Sequence, residues 1–162
     1  MSRSKSTALV GVLAALVAIG FGCFGGQTAH ARKVVPAVRP TPEKTLFSEY
    51  RGVKIGMPAA DVRTKLGKAK EETDAQDQYI FSDNESVQFY YDGAKNVNAI
   101  MITYQGDVSK APTAKDIFGD DVAPNDQGMI FKMERYPKAG FWISYTRTSG
   151  TDAMVNIALQ KM

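Results

Sequence analysis

The sequence predicts an α+β protein: short helices packed on one face of an antiparallel β-sheet, in two tandem helix-β-β-β units. Three observations carry this expectation. Several runs alternate apolar and polar residues with period two, the mark of strands with one buried face. Two short segments carry helix start and stop residues. The order helix, strand, strand, strand occurs twice, with Gly67 and Gly119 as matched stops 52 residues apart.

The first element is a leader. Met1 to Lys5 is basic through Arg3 and Lys5, and an uncharged apolar stretch follows from about Ala8 to Phe24. A small-residue region, Gly25 to Ala31, closes it, with Ala29-x-Ala31 fitting the small-x-small rule of signal peptidase. Residues 1–31 therefore read as a signal peptide. An uncleaved anchor and lipidation at Cys23 stay open as alternatives, since the run approaches the length of a membrane span.

Removing the leader removes Cys23 and His30, the chain's single Cys and single His. The remaining 131 residues hold 18 basic side chains, the 20 of the full chain less Arg3 and Lys5, against 17 acidic ones. That near-balance gives no electrostatic footprint for nucleic acid. Without Cys there is no disulfide framework, so packing must hold the fold. Without His or Cys, Ser-His-Asp and Cys-His catalysis and thiolate or imidazole zinc sites are excluded. No phosphate-cradling G-x-x-x-x-G-K run is present. The sequence thus predicts a protein that is not an enzyme and needs no cofactor.

Residues 32–45 form a Pro-rich arm with Pro36, Pro40 and Pro42, favouring extended polyproline-II backbone. Its Arg32, Lys33 and Arg39 give only weak, salt-sensitive contact with anionic lipid heads.

The first α+β unit is expected over 46–106. Pro58 suits a first helical turn, Asp61 and Lys65 complement the helix dipole, Val62 and Leu66 share a face, and Gly67 ends the helix. Three strand runs follow: Tyr79-Ile80-Phe81, then Val87/Phe89/Tyr91, then Ile100/Ile102/Tyr104. The second unit, 107–162, repeats the order. Thr113 to Gly119 is the helix. Met129/Phe131/Met133, Phe141/Ile143/Tyr145 and Val155/Ile157/Leu159 are the alternating strands. A single domain with one six-stranded sheet is the alternative to a duplication.

The segment Val53 to Gly67 resembles the opening signature of the BamE (SmpA/OmlA) family: a Gly56-Met57 step, a short helix with an inner Val62-Arg63, and a closing Leu66-Gly67. The tandem arrangement resembles the β-lactamase inhibitory protein, which uses the same small unit twice. The resemblance implies a non-catalytic envelope protein that binds another protein.

If Val87/Phe89/Tyr91 and Phe141/Ile143/Tyr145 face the helices, Tyr90 and Trp142 project from the opposite face, joined by Met101. Two aromatics with a methionine on an open sheet face suit a protein-binding patch. Arg147 is the candidate rim residue. Packing of Trp142 under a loop or arm is the alternative.

The run Asp116, Asp120, Asp121, Asn125, Asp126 and Gly128 lacks the spacing of a calcium loop and reads as a polar connection. The partner expected is another protein of the envelope or extracellular space, with the chain exported to the periplasm or outside the cell. Rival functions are a secreted inhibitor of a foreign enzyme, a carboxylate-dependent hydrolase, and a lipid or small-molecule binder.

Overall fold

The computed structural model describes residues 45–162. The leader, Cys23, His30 and the arm up to residue 44 lie outside the described residues. Among the described residues no helix is long and apolar enough to cross a membrane.

The chain enters through a small hairpin of β1 (Glu49–Tyr50) and β2 (Val53–Lys54) and continues into helix α1 (Ala59–Leu66). A first meander follows: β3 (Glu71–Glu72), β4 (Gln76–Ser82), β5 (Glu85–Tyr91) and β6 (Val97–Gln105). Helix α2 (Ala114–Phe118) leads to a second meander, β7 (Ile130–Tyr136), β8 (Phe141–Arg147) and β9 (Met154–Lys161).

All strands from β3 onward form one antiparallel sheet of seven, in the order β3-β4-β5-β6-β9-β8-β7. Each meander ends on a strand with an open edge, and those two strands, β6 and β9, pair with each other. Helix-then-meander therefore occurs twice within a single continuous sheet.

The expected α+β class is corrected by this architecture. Strands hold 45% of the described residues and helices 11%, so the fold is mostly β. The helix signals were local and marked real turns. Pro58 and Gly67 bracket α1; Thr113 caps α2 through a capping box with Asp116; Gly119 closes α2 at φ +86° in the left-handed region. But α1 has eight residues with only Ala59 and Val62 buried, and α2 has five with only Ala114 and Ile117 buried. Elements so short form only by docking, and they cannot form a helical layer over seven strands.

The core is built mainly by the sheet's inner face. Val87, Phe89, Ile100, Ile102, Ile143, Tyr145, Ile157 and Leu159 are buried there. The β1–β2 hairpin contributes Tyr50 and Val53, and Phe47, Ile55, Met57, Phe118 and Val122 pack around the margin.

One strand inverts its expected pattern. In β7 the apolar residues Phe131 and Met133 are exposed, while Lys132 and Glu134 take the inner side. At this edge the inner face lies at the rim of the core, where water reaches charged heads. Lys132 Nζ lies 2.8 Å from Glu134 and sits over the Phe118 ring, and Tyr136 donates to Glu134 at 3.0 Å. The long aliphatic stem of Lys132 covers apolar surface while its charge stays paired.

Candidate functional site

Strand register places the outward side chains in three cross-strand rows. The first runs Gln76, Tyr90, Ala99, Gln160, Trp142, Arg135. The second runs Glu71, Gln78, Gln88, Met101, Ala158, Ser144, Met133. The third runs Ile80, Ser86, Thr103, Asn156, Thr146, Phe131. Because side chains alternate along a strand, all of these share the face opposite the core.

Tyr90 and Trp142 thus stand in one row, separated by Ala99 and Gln160. Three strand spacings put them roughly 14 Å apart. Met101 stands in the adjacent row between them and is 42% exposed. Both aromatics are half-buried. Tyr90 donates its hydroxyl hydrogen bond to Gln88 on the same strand, which orients the ring over the sheet.

Arg147 stands elsewhere. It pairs with Val155 and Ile130, so it shares the inner side with Tyr145. Burial pushes the Tyr145 hydroxyl up, while the Arg147 guanidinium beside it opposes that shift. The rim cation of the outer face is Arg135, at the end of the row that holds Trp142.

Sequence reasoning also missed Ile80, Phe131 and Met133 on this face. Their exposures are 47%, 58% and 47%. With Met101 they are four of the six exposed large hydrophobics among the described residues. The charges in these rows stand only at their ends, Arg135 on β7 and Glu71 on β3. The face is otherwise amide, hydroxyl, thioether, aromatic and aliphatic. Beside Ile80 it dips into a hollow of about 390 Å³ lined by Gln78, Ser82, Ser86, Gln105, Asp83 and Glu85.

Two hydrogen-bonded charge clusters tie the sheet to the elements on its other side. Asp77, fully buried, receives Arg63 Nε and Nη2 at 2.9 Å each and the Tyr91 hydroxyl at 2.6 Å. This locks α1 onto β4. Burial and the hydrogen bond to Asp77 hold the Tyr91 hydroxyl well above the usual phenol range.

A second knot centres on Glu85. It accepts from Tyr50 at 2.6 Å, Tyr104 at 3.3 Å and Arg51 at 3.1 and 3.2 Å, with Arg51 stacked 3.9 Å over the Phe81 ring. Burial acts to raise the Glu85 carboxyl, but the Tyr50 and Arg51 hydrogen bonds outweigh it and hold it below the usual range. Burial and then the Glu85 charge push Tyr104 up to about 12. Both carboxylates have their donors close around them, an arrangement that fixes the hairpin and helix to the sheet.

The acidic run after α2 is likewise engaged. Asp116 caps its helix, Asp121 lies 3.2 Å from Lys115, and Asp120 lies 3.6 Å from Lys132. Asn125 accepts from the backbone of Gln127 and Met129, closing the loop on itself. The outer sheet face is therefore the candidate site. Comparison with family models, with curated proteins and with solved structures finds no match to this chain.

Proposed function

We propose that the protein is an exported, non-catalytic module of the cell envelope that holds another protein against the outer face of its sheet. One observation carries this reading. The sheet presents a face charged only toward its margins, by Arg135 at one edge and by Glu71 and the Asp83–Glu85 hollow toward the other, bearing Tyr90, Trp142 and four exposed hydrophobics, with no helix laid over it among the described residues. Exposed large hydrophobics gathered on one weakly charged face mark an interaction site. Enrichment in aromatics, Met and Arg with depletion of other charges is the composition of an interface centre. The described residues contain neither His nor Cys, which supports binding over catalysis. The likeness of Val53 to Gly67 to the BamE opening signature supports the same reading.

The burial of Trp142 and Tyr90 against the partner would supply most of the affinity, since aromatic anchors dominate interfaces. Trp142→Ala is expected to weaken partner binding by about tenfold or more. Its effect on the denaturation midpoint is expected to be small. The check uses photocrosslinking groups at Met101 and, as a control, at the exposed Asp61 on α1. Specific adducts from position 101 and none from position 61 are expected. The reverse pattern, or Trp142→Ala binding that matches the unaltered protein, would overturn the reading.

A further inference from the structure

The two edges of the sheet differ. On one side β4 is partly covered by the two-residue β3, and its pairing slips at a bulge between Ile80 and Ser82. On the other side β7 runs seven residues in unbroken register with β8, without Pro and without a bulge. Among the described residues no loop backbone bonds to Phe131, Lys132, Met133, Glu134 or Arg135. A straight edge of this length, uncovered among the described residues, is a template for another strand.

The sequence of that edge says which strand fits. Ile130 to Tyr136 is self-complementary about Met133. When β7 is laid antiparallel on a second β7 with Met133 opposite Met133, Lys132 meets Glu134 twice on the inner side. Phe131 meets Arg135 twice on the outer side, an aromatic face against a guanidinium. Ile130 meets Tyr136 at both ends. Residues paired across strands must project to the same face, so the neighbouring two-fold registers centre on Lys132 or on Glu134. Those put ammonium on ammonium or carboxylate on carboxylate, which is destabilising.

We propose that the protein forms a two-fold dimer by antiparallel pairing of β7 with β7 of a second copy, in the register centred on Met133. The pairing closes both exposed edges, and a two-fold interface stops at two copies. It also sets two outer faces side by side as one continuous surface. The dimer does not rest on the function proposed above: its readout is oligomeric state, with no partner present.

Seven residues of strand pairing make an interface at the small end of the range, so the dimer is expected to dissociate on dilution from concentrations on the order of 100 μM. Sedimentation of the purified protein over that range reads it. Lys132→Glu alone places like charges opposite one another, as does Glu134→Lys alone. Each is expected to dimerise about tenfold or more weakly. Mixed together, the two variants restore opposite charges at both contacts, so a heterodimer forms. Heterodimer formation also shows that both variants are folded. Met133 is half exposed in the single chain, so Met133→Lys leaves folding intact while placing two ammonium groups on the two-fold axis. It is expected to be monomeric throughout. An unaltered protein that stays monomeric at the highest concentration would overturn the proposal. So would a dimer indifferent to Met133→Lys, or a mixture that associates no better than its components.

Discussion

Replacing Asp77 with alanine is expected to cost about 2–4 kcal/mol of folding stability. The carboxylate is fully buried and gathers two Arg63 nitrogens and the Tyr91 hydroxyl within 2.9 Å. Its removal leaves the Tyr91 phenol without an acceptor and takes from Arg63 its buried partner, leaving the guanidinium only Glu72 at 3.0 Å and the Thr73 carbonyl at 3.0 Å. It also cuts the tie between α1 and β4, and an eight-residue helix has little intrinsic stability to fall back on. Charge removed on both sides is a different matter. Arg63→Met with Asp77→Leu is expected to recover part of the loss, because apolar packing replaces the ion pair while the Tyr91 hydroxyl still lacks its acceptor. Urea unfolding followed by circular dichroism measures all three. A loss below about 1 kcal/mol for Asp77→Ala would show that the pair contributes no more than a surface ion pair.

The second large effect is at the seam of the sheet. Ile157 on β9 is fully buried, paired with Ile102 on β6 and Tyr145 on β8. Ile157→Ala is expected to cost about 2–5 kcal/mol, the transfer of the lost methyl groups plus the cavity they leave. Its position makes it informative beyond its size. The β6–β9 contact is where the two meanders become one sheet, so the loss should appear as one shifted transition. Ellipticity and Trp142 fluorescence report different parts of the chain and should move together. Separate transitions, with only the second half affected, would mean that the halves fold as independent units.

The strands of the core were legible because they follow the period-two rule. Val87/Phe89/Tyr91, Ile100/Ile102/Tyr104, Phe141/Ile143/Tyr145 and Val155/Ile157/Leu159 all turn inward. Both helix stops, Gly67 and Gly119, were also legible from local chemistry. What local chemistry does not carry is how much of the fold each element makes up, and there the α+β expectation failed. Two-residue strands such as Glu71–Glu72 have no periodicity to read.

The inversion of β7 has a different cause. Alternation says that two faces differ, and only tertiary position says which one is buried. At an edge strand the inner side meets water, so paired charges sit there and the apolar set turns outward. The same register explains the site. Tyr90, Met101 and Trp142 fall on one face because each alternates with buried neighbours. Arg147 is two residues beyond Tyr145, and that spacing alone places it on the inner side. Phe131 and Met133 could be assigned to the outer face only once β7 was seen paired to β8.

An open outer face is the claim on which the proposed function depends, and the chain carries one built-in probe of it. Trp142 is the protein's single tryptophan. Acrylamide quenching of its fluorescence, measured on the purified protein alone, reads the access of solvent to that face directly. Ready quenching, like that of a half-exposed indole, is predicted, with protection gained when the partner binds. An indole shielded from acrylamide in the protein alone would mean that some other part of the chain already covers the face, contradicting its role as a free binding surface.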